Sequence, residues 1–298
     1  MKVVALAACG LLVLAACGGG ESGAEEIVTI DEQIGLDEEG LLERQAQAEN
    51  LIRDCMKAEG FEYVPVDPVA QQAALVGQAG MSQEDFEAQF GYGITTLYEQ
   101  RLQQAGSGPN KEIRATLGES DRAVYDRALY GDDPTATFAA ALDAGDFTRL
   151  GGCVKQATDE VFGGTAVLQT LQTKMDEVDE KIFADRRMVK AIAKWSQCMR
   201  DAGYDGLSEP DQLDAVLEQK LEAIVGPPEE RVAPAPGEEP AYDRTALKAL
   251  QREEVAMVAS DIACEEKHLA GIEGKVSAEY QDEFRQENAD LIERVPPL

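Results

Sequence analysis

From Leu41 onward, the spacing of apolar positions is that of helices. Leu41, Leu42, Ala46, Ala48, Leu51, Ile52, Cys55 and Met56 recur every three or four residues, which predicts a helix with one buried stripe. Pro65 and Pro68 keep the following stretch extended. A short helix is expected over 69–78, another from an N-cap at Ser82 to Phe90, and a third over 95–105 after the Gly91-Tyr92-Gly93 break. Gly106 to Pro109 reads as a loop. Helices are expected again over 120–130, 134–144 and 147–162. Thr165 to Ala202 contains no breaker. Its Leu168, Leu171, Met175, Val178, Ile182, Val189, Ile192 and Met199 predict one long helix. A second long helix is expected from Asp243 to Leu269, with Val255, Val258, Ile262 and Leu269 as its stripe, lying antiparallel to the first. Residues 209–225 form a shorter helix between them, and 277–294 closes the chain. No pair of strands is apparent. The expected fold is all-α: a disulfide-stapled helical bundle with a long antiparallel helical hairpin in its second half.

The first residues follow a different pattern. After Met1-Lys2, Val3 to Leu14 is almost wholly apolar. About a dozen such residues are too few to cross a hydrocarbon core of roughly 30 Å, so the run reads as the apolar region of a secretory signal. It ends in Leu14-Ala15-Ala16-Cys17-Gly18, which resembles a bacterial lipobox. That resemblance implies cleavage before Cys17 and attachment of diacylglycerol and palmitate to it. Leu6-Ala7-Ala8-Cys9 has the same lettering but would leave too short an apolar run before it. The expected division is a signal over 1–16, a tether over 17–39, a helical repeat over 40–164 and a second over 165–298. A proline-rich exposed loop is expected over 226–240.

Four cysteines remain: Cys55, Cys153, Cys198 and Cys264. An exported chain with an even count, and no C-x-x-C pair for zinc, points to two disulfides. The surroundings of two of them repeat. Cys55-Met56-Lys57-Ala58-Glu59-Gly60-Phe61 matches Cys198-Met199-Arg200-Asp201-Ala202-Gly203-Tyr204. A basic residue in the last turn, a glycine at the end and an aromatic folding back mark two similar helix C-termini. Each copy is followed by a later cysteine. Three pairings are open, and the simplest joins Cys55 to Cys153 and Cys198 to Cys264. The C-M-x-x-x-G-[FY] segment, Phe90-Gly91-Tyr92-Gly93-Ile94, Tyr125 to Gly131 and Gly152-Cys153 together resemble uncharacterised secreted lipoproteins of actinobacteria. The resemblance covers residues 40–165 best. It implies the same address and disulfides, and no activity.

Composition narrows the chemistry. There are 57 acidic residues against 27 basic, a net charge of −30, and one histidine. Such a surface is repelled by phosphate backbones, so no nucleic-acid partner is expected. It is also repelled by anionic lipid, so attachment to the membrane rests on the lipid at Cys17. A lone His268 leaves no room for a histidine metal site or a serine triad. Its pairing with Cys264 as base and nucleophile competes poorly with a disulfide. The acidic run Asp176, Glu177, Asp179, Glu180 and Asp185 reads as a solvated helix face, and Asp31 to Gly40 lacks calcium-loop spacing. Neither a catalytic residue, a metal nor a cofactor is expected. The candidate ligand groove is the aromatic set Phe61, Tyr63, Phe86, Phe90, Tyr92 and Tyr98, which competes with a plain core. The reading is a lipid-anchored protein on the extracytoplasmic face of the cell membrane. Its role is non-enzymatic binding or scaffolding of an envelope protein or cell-wall partner. A carboxylate-dependent cell-wall hydrolase and a transporter-associated ligand-binding lipoprotein are the alternatives.

Overall fold

The computed structural model describes residues 30–78, 80–234 and 238–298. In chain order the first helices are α1 (Ile30–Ile34), α2 (Glu38–Ala58), α3 (Pro68–Val76), α4 (Gln83–Phe90), α5 (Tyr98–Gly106), α6 (Pro109–Thr116), α7 (Glu119–Tyr130) and α8 (Phe138–Ala144). They are followed by α9 (Gly152–Phe162), α10 (Thr165–Ala184), α11 (Arg186–Asp201), α12 (Gln212–Val225), α13 (Arg244–His268), α14 (Ala270–Glu287) and α15 (Ala289–Ile292). Among the described residues there is no strand. The chain is all-α.

Two compact units interleave along it. Unit one takes the described part of Met1–Val66 with Gly118–Met188 and Ala270–Leu298, and unit two takes Asp67–Leu117 and Val189–Leu269. The 164/165 boundary expected between repeats therefore falls inside unit one. In unit one α2 lies against α9, α7 also packs on α9, and α10 packs on α9 and α14. Ile52, Met56, Tyr125, Val161, Phe162 and Leu168 fill its core. In unit two α4 and α12 both pack on α13, around Leu97, Trp195, Met199, Leu213, Leu217 and Val258.

Both disulfides join cysteines within a unit. Cys55 is bonded to Cys153 in unit one and Cys198 to Cys264 in unit two. The repeated motif folds the same way twice. Phe61 N donates to Met56 O and Tyr204 N to Met199 O, each at 2.9 Å, while Gly60 and Gly203 turn left-handed with φ of 89° and 99°. These are two Schellman caps, with both methionines fully buried beneath them.

Five expectations change. The unbroken helix over 165–202 is two helices, because Asp185 is extended and its carboxylate accepts from Arg187 N at 2.7 Å, capping α11. The antiparallel hairpin is formed by α12 and α13, where Lys220 bonds Glu253 and Asp214 lies near both Glu254 and Asp261. Trp195 meets Asp261 and Cys198 meets Cys264, so contacts between α11 and α13 rise together and the two run in the same sense. The tether does not extend to 39: Ile30 and Ile34 of α1 are buried in unit one. Gly151 and Gly152 split the helix expected over 147–162, and α6 adds a helix over 109–116 where none was expected. In the proline-rich loop, Arg231 is anchored by bonds to Gly226 O and Glu218, although Val232 beside it is exposed.

Candidate functional site

The most unusual chemistry of unit two lies along α13. Its buried stripe runs Leu247, Leu250, Glu254, Met257, Asp261 and Cys264, an unbroken alternation of three and four residues in which two positions are acids. Glu254 is 0% exposed and Asp261 is 1% exposed. A bare buried carboxylate is costly, so each must find donors. Glu254 accepts from Ile94 N and Thr95 N at 2.8 Å, Thr96 N at 3.0 Å and Thr95 Oγ1 at 2.6 Å. Those groups come from the turn that leads into α5. Asp261 accepts from Trp195 Nε1 at 2.6 Å and Tyr92 Oη at 2.5 Å. Trp195, itself fully buried, lies one turn before Cys198, as Asp261 lies one turn before Cys264.

The glycines of the turn make this approach possible. A Cβ on Gly91 would stand 2.9 Å from Glu254 Cγ and 3.3 Å from Val258 Cγ2, and its φ is +61°. The Phe90-Gly91-Tyr92-Gly93 motif is thus a device for laying backbone on α13. Burial pushes the Asp261 carboxyl up, against the lowering effect of its Tyr92 and Trp195 donors. Burial and the adjacent Asp261 push the Tyr92 hydroxyl well above the ordinary tyrosine range, so it stays protonated. Asp214 on α12 is raised by burial and by Asp211, Glu254 and Asp261.

Unit one is organised around Arg44, which is 1% exposed. Its Nε donates to Gly35 O at 2.9 Å, Nη1 to Val161 O at 2.7 Å, and Nη2 to Ile34 O and Pro296 O at 2.7 Å each. The guanidinium also stacks over Phe162, 5.5 Å from the ring centre. All four acceptors are main-chain carbonyls. Val161 lies in the last turn of α9, where the negative end of the helix dipole supports the charge. One side chain on α2 thereby ties together the start of the described chain, the end of α9 and the C-terminal tail. α2 itself, the end of α9 and the C-terminal tail wall an open groove of about 430 Å³, lined by Gln47, Asn50, Leu51, Asp54, Glu160, Val161, Pro296 and Pro297. Its Asp54 is paired with Arg53 at 2.8 Å. The groove has shape, but no cluster of convergent reactive groups. Elsewhere in this unit, Glu49 accepts from Tyr63 Oη at 3.0 Å and Val66 N at 2.9 Å, and burial raises its carboxyl.

The expected site residues fall as follows. The aromatic set divides between the units: Phe61 and Tyr63 belong to unit one and Phe86, Phe90, Tyr92 and Tyr98 to unit two. Phe61 meets Tyr125 edge-on at 5.3 Å, Phe86 meets Phe90 at 5.5 Å, and Tyr98 meets Tyr242 at 5.8 Å. They fill cores and their margins. Cys264 is held in its disulfide, which removes it as a nucleophile for His268. Of the acidic run, Asp185 caps α11 and pairs with Arg187, while Asp176 bonds Gln172. Among the described residues, no group of three or more His, Cys, Asp or Glu could hold a metal ion. Nor is any helix among them long and apolar enough to cross a membrane. Cys17, Cys9 and the signal lie outside the described residues.

Arg44, Glu254 and Asp261 were not singled out by the apolar pattern, since all three are polar. A signal was nevertheless present: Glu254 and Asp261 complete the three-four alternation that begins at Leu247. An apolar-only reading shifts that stripe by one residue, to Val255 and Ile262.

Fold and site together define a class: an all-α protein of two disulfide-stapled units, each held by polar side chains buried against backbone. Set against known protein families, curated proteins and solved structures, the chain matches none of them.

Proposed function

We propose that this chain is an extracytoplasmic lipoprotein, anchored through Cys17, that serves as a non-enzymatic binding or scaffolding module of the cell envelope. The observation that carries the non-enzymatic reading is the state of its buried acids. Burial could prepare Asp261, Glu49 and Asp214 for acid–base work. Asp261 and Glu49 are already engaged by donors of their own chain, as is the buried Glu254, and none of the four lines the described groove. Two disulfides suit an oxidising compartment. The Leu14-Ala15-Ala16-Cys17 run and the glycines after it support the anchor.

With α1 belonging to unit one, at most residues 18–29 are left between Cys17 and the described chain. A dozen residues span no more than about 43 Å. The partner of such a module lies close to the membrane. The test is Cys17→Ala in the native host, with labelled fatty acid and membrane fractionation. Loss of label and release from the membrane are expected, and a variant that stays labelled and membrane-bound refutes the anchor. Crosslinking of the anchored protein should recover a membrane-apposed partner. Release of product from purified cell wall by the pure protein would refute the non-enzymatic reading.

A further inference from the structure

Glu254 and Asp261 sit two turns apart on one helix, both buried, but their surroundings differ. Glu254 receives four donors, three of them backbone N–H groups. Those groups can only donate, so both carboxylate oxygens of Glu254 are taken up as acceptors. Asp261 receives two, from Trp195 Nε1 and Tyr92 Oη. Of that pair only the indole is obliged to donate, because a phenol can also accept.

The charged groups that interact with Asp261 are acidic, although Arg101 Nη2 lies beside Gly93 of the turn, 3.4 Å from where its Cβ would stand. Glu87 acts on it from α4, and Tyr92 faces it from the turn after α4. Asp214 lies on α12, with Asp211 behind it. On α13 itself are Glu254 and, acting on the same Tyr92 hydroxyl, Glu265. From α11 comes the neutral Trp195. Among the described residues, neither Asp261 nor Glu254 forms an ion pair with a lysine, arginine or histidine.

We propose that Asp261 is a proton-operated clasp: unit two holds the Gly91–Leu97 turn against α13 more tightly when this carboxyl is protonated than when it is charged. On proton uptake, Asp261 Oδ1 still accepts from Trp195. The new O–H on Oδ2 donates to Tyr92 Oη, whose own hydrogen rotates away. Both contacts survive, while the buried negative charge and its repulsion by Glu87 and Asp214 disappear. Burial places the folded carboxyl above its unfolded value of about 3.9. The gain is therefore complete below about pH 3.9 and is lost as pH rises through the folded value. Each unit by which folding raises that value changes the folding constant about tenfold.

The test is amide hydrogen exchange of the full chain at about pH 7.5 and about pH 4, read as protection factors for Tyr92 to Leu97. In the unaltered protein, protection of this turn should rise several-fold on acidification. Asp261→Asn, which carries the neutral group permanently, should show the higher protection at both pH values. Glu254→Gln should lose protection at both. A flat or falling profile in the unaltered protein overturns the proposal. So does D261N that follows the unaltered profile, since general relief of net charge would then be the cause. Were D261N not to fold, Tyr92→Phe removes one donor to the charged form and should move the transition to higher pH; an unmoved transition overturns the proposal equally.

Discussion

Arg44→Met is the substitution with the largest expected effect in unit one. Methionine fills much of the volume of the arginine stem and still contacts Phe162, so the cavity created is small. What is lost is one cation and four bonds, leaving the carbonyls of Ile34, Gly35, Val161 and Pro296 facing an apolar side chain. A bond to a charged group contributes about 1.5–3 kcal/mol, which for four would approach the whole stability of a domain. The opposing term is desolvation of the guanidinium, relieved when the charge is removed, and burial lowers the Arg44 pKa accordingly. Leaving a buried carbonyl without its donor costs about 1–3 kcal/mol, and with relief of the guanidinium desolvation offsetting part of the sum a net loss of about 3–5 kcal/mol is expected. For units of this size that is a fall in Tm of about 6–20 °C. Circular dichroism melting of the full chain measures it, and limited proteolysis should show the C-terminal tail cleaved earliest, since Pro296 loses its donor. Arg44→Lys should recover only part of the loss, because a point charge cannot reach the three segments in the geometry of a planar fork. An R44M protein melting within about 2 °C of the original, with its tail equally protected, would refute this account of unit one.

Other expectations follow from the same contacts. Gly91→Ala should destabilise unit two by at least about 2 kcal/mol, since left-handed strain adds to the clash with Glu254 Cγ. Gly77→Ala, at φ +80° with open space around it, should cost only about 1 kcal/mol in a parallel denaturant titration. Trp195→Phe leaves Asp261 Oδ1 without its indole donor and should cost about 1–3 kcal/mol by urea unfolding, more at about pH 7.5 than at about pH 4. Replacing Cys198 and Cys264 together by alanine opens a loop with a sequence separation of 66 and should cost roughly 4 kcal/mol, read as a lower Tm of the oxidised protein. Burial raises Glu49, so its charge costs stability above its unfolded value of about 4.3 and that cost fades as pH falls. Glu49→Gln should flatten that part of the Tm–pH curve; a steeper curve would refute the assignment.

Much of the local structure was legible. The C-M-[KR]-x-x-G-[FY] segments became two matching Schellman caps, because a left-handed glycine and a following aromatic specify that ending within a few residues. Ser82 caps α4 as its spacing to Asp85 implies. The break at Asp185 was not legible, since no proline or glycine marks it and an Asx cap inside a helical stripe resembles any surface aspartate. The span of the tether was misread for a similar reason. Ile30 and Ile34 are two apolar residues in an acidic stretch, and only their burial in unit one shows that the folded body begins there. Two glycine motifs acquired a reason only in three dimensions. A Cβ on Gly131 would meet Gly151 Cα at 2.9 Å, and one on Gly152 would meet Ala128 O at 2.4 Å, so α7 and α9 close on each other where Cys153 begins its bridge.

By itself the sequence determined the all-α class, most helix ends, the two duplicated caps and the presence of four cysteines suited to bridging. These depend on interactions between residues a few positions apart, so spacing and residue type suffice to read them. Tertiary structure decided which segments make up each unit, which cysteines meet, and which polar residues are buried. Arg44 reaches residues 117 and 252 positions away, and Glu254 bonds backbone some 160 positions before it. Whether an acid on a helix stripe is a solvated face or the centre of a core depends on what backbone arrives to cover it. In this protein that backbone is the glycine turn at 91–93 on α13, and, for Arg44, the ends of three separate segments.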